Sequence, residues 1–207
     1  MSRSLHAALL GAALLVLPAA SVAGQQYIVG INRALDISST VPGDDMGAGG
    51  GSRASFLFVG RSGRWGLGLD WSQHTFRGQV AEPPADASSA DLIVRPTLVM
   101  GSARFLAPAG RATLVVGADV GTGVATLRMD NGSETDRETI SGLAFAPTAA
   151  LRFPLNEQLS LEVEGRYERL NLGDDYVQFE RTGYRVRETA SMSWVGVSLG
   201  VMYRFAR

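Results

Sequence analysis

Strict alternation of apolar with small or polar residues limits most strongly what this chain can fold into. In Trp65-Gly66-Leu67-Gly68-Leu69-Asp70-Trp71-Ser72, the residues Trp65, Leu67, Leu69 and Trp71 share one face of an extended strand. Gly66, Gly68, Asp70 and Ser72 share the other, because successive strand side chains point to opposite sides. The pattern recurs in runs of about ten to fourteen residues bounded by turn residues. Leu114, Val116, Ala118, Val120 and Val124 alternate with Val115, Gly117, Asp119, Gly121 and Gly123. Leu143, Phe145, Ala149, Leu151 and Phe153 alternate with Gly142, Ala144, Ala146, Thr148 and Arg152. Between Leu159 and Arg169 the apolar face carries Leu159, Leu161, Val163 and Tyr167, and the opposite face Glu162, Glu164, Arg166 and Glu168. The last run sets Val195, Val197, Leu199, Val201, Tyr203 and Phe205 against Trp194, Gly196, Ser198, Gly200, Met202 and Arg204. Weaker strands are expected at Gln26–Asn32, Ala54–Gly60 and Asp91–Ala103. Pro96 and Pro147 each remove a ladder donor from their strands.

Connections alternate in length. Long ones, rich in Gly, Asp, Ser and Pro, are expected at 33–53, 77–90, 129–139 and 171–188. Short ones fall at 61–64, 107–111 and 154–158. Eight antiparallel up-and-down strands, closed into a barrel, match this layout, with short turns at one rim and long loops at the other. A soluble sandwich or barrel would bury the apolar face, whereas a membrane barrel turns it outward. Three features favour the membrane form. The small-residue face suits a narrow interior. Tyr27, Trp65, Phe76, Phe105, Phe153, Tyr203 and Phe205 fall near strand ends, where an interfacial girdle belongs. The third is an export signal.

That signal occupies residues 1–23: Arg3, then the apolar run Ala7 to Leu17, Pro18, and the small-x-small Ser21-Val22-Ala23. The run is too short to span a membrane, which needs about 20 apolar residues. Cleavage after Ala23 leaves residues 24–207 as one domain. No later stretch offers a spanning helix. The net charge of −1, with 19 arginines and no lysine, gives no basic footprint for nucleic acid. With no cysteine, disulfide frameworks, thiolate metal sites and cysteine nucleophiles are excluded. No cofactor is expected.

With the apolar face outward, the lumen should hold Asp70, Asp119, Glu162, Glu164 and Glu168 against Arg95, Arg152, Arg166 and Arg204. Near-balance of sign is what buried charges require. Such an interior is a plug rather than a wide pore, with a narrow ion path as the alternative.

The C-terminal run Ser198-Leu199-Gly200-Val201-Met202-Tyr203-Arg204-Phe205 resembles the outer-membrane β-signal, with Ser198, Gly200, Tyr203 and Phe205 at its defining positions. The family usually stops at the final aromatic, whereas Ala206 and Arg207 follow here. Val115 to Gly123 resembles the Gly-rich fifth strand of small OmpA-like and opacity-type barrels, and Leu161 to Tyr167 their seventh. The resemblance implies handling by the barrel-assembly machinery, residence in the outer membrane among lipid and lipopolysaccharide, and envelope or surface-contact roles. It does not extend to the peptidoglycan-binding domain of longer OmpA-like proteins.

His74, the one histidine after the signal, sits two residues beyond Ser72 near the outer end of its strand. A Ser-His pair also needs an orienting acid and an oxyanion hole, and the flanking sequence matches neither the lipid A deacylase nor the omptin motif. His74 is therefore read as an exposed rim histidine, with a lipid- or peptide-hydrolysing enzyme as the alternative. Asp44-Asp45 and Asp174-Asp175 lack the alternate-position ligands of a calcium loop. In the last long loop, Tyr176, Phe179 and Tyr184 interleave with Arg181, Arg185 and Arg187. As loop contacts they would reach lipopolysaccharide phosphates or a surface ligand, the other reading being a mobile loop that only extends the last hairpin.

Overall fold

The computed structural model describes residues 26–42, 46–79, 90–132, 134–173, 176–179, 181, 185–187 and 190–206. The expected signal segment, Asp44-Asp45, Asp174-Asp175 and Tyr184 lie outside them. Every described element is a strand: β1 Gln26–Thr40, β2 Gly49–Val59, β3 Trp65–Gln79, β4 Asp91–Ala109, β5 Ala112–Asp130, β6 Thr135–Pro154, β7 Leu159–Asn171, β8 Tyr176–Gln178, β9 Arg185–Arg187 and β10 Ser191–Ala206. The eight long strands form a closed antiparallel barrel in which each pairs with its chain neighbours and β10 pairs with both β7 and β1. The closing seam runs from Gln26 opposite Ala206 to Thr40 opposite Ser193. β8 and β9 form a separate two-stranded hairpin between β7 and β10.

The strands continue well past the expected limits. β1 reaches Thr40, β4 runs on to Ala109, and β6 starts at Thr135, so the connection expected at 129–139 shrinks to 131–134. The backbone ladder needs no alternation to continue. At Thr135-Asp136-Arg137-Glu138-Thr139 both faces are polar, and the period-2 signal vanishes while pairing with β5 persists. Gly110, at φ 64°, supplies the left-handed position in the two-residue link between β4 and β5.

Both prolines interrupt one ladder without shifting its register. The β3–β4 pairing breaks between Gln73↔Thr97 and Phe76↔Val94, at Pro96. The β6–β7 pairing breaks between Phe145↔Arg169 and Thr148↔Arg166, at Pro147. On its other side each proline stays paired, to Ala125 and Ala118 respectively.

The apolar face points outward. Ile31 is 69% exposed, Leu67 67%, Val120 64% and Leu143 67%, while Asp119 is 0% and Glu168 2% exposed. At the short-turn rim Tyr27 packs 5.4 Å from Phe58, Trp65 4.9 Å from Phe105 and Tyr203 4.5 Å from Phe205. From Tyr27 to Ile37 along β1 is roughly 25 Å of wall for a strand tilted by about 40°, the height of a membrane-barrel apolar band. Phe76 does not join the girdle: it is fully buried inside, 5.6 Å from Trp194. Its parity in β3 is that of Asp70 and Ser72, which face inward.

The interior has three layers. At the short-turn end Ile28, Leu57, Val59, Leu106, Val115 and Met202 form an apolar floor. At the long-loop end a larger apolar cluster includes Phe76, Leu98, Met100, Leu127, Leu170 and Trp194, joined by Val177, Phe179 and Val186 of the β8–β9 hairpin. Between them lies a charged middle layer. Inner-face glycines let the wall close around it: a Cβ at Gly121 or Gly142 would collide with the backbone of Val99 or Asn171.

Candidate functional site: the sealed charge network

The middle layer is built by strands whose inward positions alternate with the lipid-type face. Arg53 on β2 donates to Asp70 on β3 and to Glu164 on β7. Arg166 on β7 lies 3.2 Å from Asp70, 2.7 Å from Asp119 and 2.9 Å from Glu168. Arg104 on β4 grips Asp119 with both terminal nitrogens. Arg152 and Glu162 pair at 2.6 Å nearer the short-turn end. His74 sits at the long-loop side of the layer, with Nδ1 2.9 Å from Asp36 and Nε2 2.7 Å from Glu168. Glu168 also accepts from the Ser72 hydroxyl at 3.0 Å and from the Trp194 indole N–H.

Among the described residues, four arginines and six carboxylates thus fill the layer, with His74 bridging two of the acids. In a low-dielectric interior such groups persist only when each charge meets its partners. A cavity of about 20 Å³ lies among Arg53, Arg104, Arg152, Glu162, Glu164 and Met202, room for about one water.

Of the residues expected in the lumen, Asp70, Asp119, Arg152, Glu162, Glu164, Arg166 and Glu168 point inward. Two do not belong to the network. Arg95 is exposed on the outer wall, because the inward parity of β4 is that of Leu92, Val94 and Leu98. Arg204 lies at the short-turn rim and donates its Nε to the Glu157 carbonyl at 2.9 Å. Arg53, Arg104, Asp36 and His74 were missed as network members. Arg53 fell in an expected loop and Arg104 one residue past an expected strand end. Carrying the parity of Ser55 and Leu57 back, or of Met100 and Ser102 on, would have placed both inside.

His74 is only 4% exposed, which corrects its reading as a rim histidine. Ser72 and His74 do share a strand face, but each is held by Glu168. In the last loop, Phe179 is fully buried in the apolar cap and is no surface anchor. Arg181 has an exposed side chain and donates its backbone N–H to Asp136 at 2.8 Å. Tyr176, Arg185 and Arg187 lie on β8 and β9. In β10, Ser198 and Gly200 face inward, and Asn32 donates to the Ser198 hydroxyl at 3.3 Å. Tyr203 and Phe205 complete the rim pair. Among the described residues, no group of three or more His, Asp or Glu is placed to hold a metal.

No family model and no curated protein matches the sequence. Solved structures do match over almost the whole barrel. A major outer membrane protein from Thermus thermophilus superimposes with a TM-score of 0.58 at 10% identity, over 87% of this chain and 99% of that one. The fold is that of an outer-membrane β-barrel. Ail, the attachment invasion locus protein of Yersinia pestis, matches at TM-score 0.51 and 17% identity, over 89% of this chain and 100% of Ail. The outer membrane protease OmpT from Escherichia coli matches at 0.50 and 7%, over 87% and 96%. An attachment protein and a protease on similar barrels show that the architecture alone selects no activity.

Proposed function

We propose that this chain is a non-enzymatic integral outer-membrane β-barrel, serving envelope structure or surface contact through its long-loop rim. The observation that carries this reading is the filled interior. Ion pairs cross the middle, apolar side chains seal both ends, and the described cavity admits about one water. An interior filled in this way among the described residues disfavours both transport through the lumen and a substrate cleft within it. The hydrolase reading has little support in the geometry, since both His74 ring nitrogens are engaged by carboxylates beneath Phe76 and Trp194.

Barrel-assembly recognition of the β10 terminus and lipid contacts on the wall belong to the same proposal. Three measurements test it. The protein should partition with outer membranes and migrate differently before and after boiling. Planar-bilayer recordings should show no conductance steps. Purified protein should hydrolyse neither lipid nor peptide, and a His74→Gln variant should lose stability, since the ring joins Asp36 to Glu168. Soluble periplasmic fractionation without a heat shift would overturn the class, steady unitary conductance the plug.

A further inference from the structure

We propose that the outward face of β3 to β6 at the long-loop rim binds phosphate-bearing lipid headgroups through Arg77, Arg95, Arg128 and Arg137. The proposal rests on the reading that the apolar wall faces hydrocarbon.

Register creates the site. Arg77 on β3 lies opposite Ile93 on β4, Ile93 opposite Arg128 on β5, and Arg128 opposite Arg137 on β6. Three guanidiniums therefore occupy one row across four adjacent strands, about 15 Å long at ordinary strand spacing. Arg95 stands two positions below Ile93 on β4, opposite Thr126. All four arginines are exposed. They stand on four different strands, and strand pairing brings them together.

Height in the membrane selects the ligand. Val99 and Val124 are the last exposed apolar wall residues on β4 and β5. Arg95 and Arg128 lie four positions further toward the loops, about 10 Å along a tilted strand. That is where the headgroup layer, about 5–8 Å thick beyond the hydrocarbon, meets water. A face that looks sideways at this depth has lipids as its neighbours.

Charge selects the headgroup chemistry. Like charges directly opposite on paired strands repel, and Arg128 and Arg137 are such a pair. Asp130 lies 3.3 Å from Arg128, Asp91 pairs opposite Asp130, and Glu134 sits in the turn beyond. These acids line the loop side of the row, leaving its membrane side cationic. A phosphate bridging Arg128 and Arg137 removes the repulsion and accepts paired N–H donors from a guanidinium fork.

The test uses the full-length mature barrel refolded in neutral detergent, with isothermal titration of purified lipopolysaccharide, the same lipid dephosphorylated, and inorganic phosphate. The Arg128→Gln/Arg137→Gln double variant should bind phosphorylated lipid at least tenfold more weakly. An Arg61→Gln/Arg111→Gln double variant, with the same charge loss at the opposite rim, should bind as the unaltered protein does. Dephosphorylated lipid should bind the unaltered protein as weakly as phosphorylated lipid binds the first double variant, and inorganic phosphate at least a hundredfold more weakly than lipid. Both variants change exposed residues and should keep the heat-dependent gel shift. Equal losses in the two double variants, or no loss in the first, would overturn the proposal. So would undiminished binding of dephosphorylated lipid, or inorganic phosphate binding as tightly as lipid. Retained lipid affinity with lost attachment to a protein surface would assign the face to a protein and refute it. If the unaltered protein shows no heat shift and no membrane insertion, the reading of the wall itself fails.

Discussion

Arg166 reaches Asp70 on β3, Asp119 on β5 and Glu168 on its own strand, so its removal leaves three buried carboxylates short of a partner. Breaking a buried ion pair from one side costs about 3–5 kcal/mol, and Arg166→Ala should lower unfolding stability in urea by at least that much. Arg166→Lys should recover only part, because an ammonium cannot reproduce the planar fork that meets several carboxylates at once. At the loop end a different carboxylate acts locally. The Gly132 backbone N–H, then the Thr135 hydroxyl and Arg128, hold the Asp130 carboxyl below its ordinary value of 3.8. A depressed folded value means that the turn's stabilisation is complete above about pH 4 and is lost as pH falls through the lower folded value. Exchange of the Gly132 amide should therefore stay slow at neutral pH and accelerate, beyond the intrinsic pH effect, in the Asp130→Asn variant. Equal protection in both forms would remove the carboxylate from that role. Residue roles were unevenly legible. The inner face of β7 could be read directly, because Glu162, Glu164, Arg166 and Glu168 recur at every second position, whereas His74 looked like a rim residue until its partners on β1 and β7 were known.

The β8–β9 hairpin is the element whose role changed most. Its alternation of aromatic and arginine residues suggested an outward contact surface, yet Val177, Phe179 and Val186 close the apolar cap from above. Replacing a buried phenylalanine by alanine costs about 3–5 kcal/mol in a packed core. Phe179→Ala should therefore lower the temperature of the heat-dependent gel shift. In planar bilayers the variant should remain silent, since the charged layer beneath still blocks the lumen. Conductance in Phe179→Ala would mean that the hairpin, not the ion pairs, is the seal. β10 closes the barrel against β1 over fourteen residue pairs. Tyr203→Ser/Phe205→Ser, which deletes the rim aromatic pair, should reduce the heat-modifiable fraction in outer membranes several-fold while leaving export intact. Strand ends were less legible than strand cores. At the loop end of β6 polar residues occupy both faces, so hydrogen-bonded pairing continues with no hydropathy pattern to announce it.

At the scale of the molecule, the interior is a stack of apolar floor, ion-paired middle and apolar cap inside a wall that is apolar on its outside. A closed barrel that turns its apolar face outward is stable only where that face meets lipid. In water the exposed leucines, valines and isoleucines of the wall would form one continuous apolar surface of a kind soluble monomers avoid. The protein should therefore require detergent to stay monomeric, and dilution below the critical micelle concentration should precipitate it. Mass spectrometry of the mature form should find Gly24 at its N-terminus, which tests the export reading independently of the barrel.

Sequence by itself determined the eight barrel strands, their up-and-down order, the outward direction of the apolar face and most of the inward charges of β5 to β7, but not the β8–β9 hairpin. The order and the inward charges follow from a period of two and from turn residues, and the outward direction from the small-residue face, the strand-end aromatics and the export signal, all readable along the chain. Tertiary structure decided what depends on register and closure. It placed Arg53, Arg104 and Asp36 in the network, moved Arg95 to the outer wall, folded Phe179 into the cap and set His74 between Asp36 and Glu168. The alternating runs told which face each side chain took. Which strand it met across the barrel was set only when β1 and β10 closed the sheet into a ring.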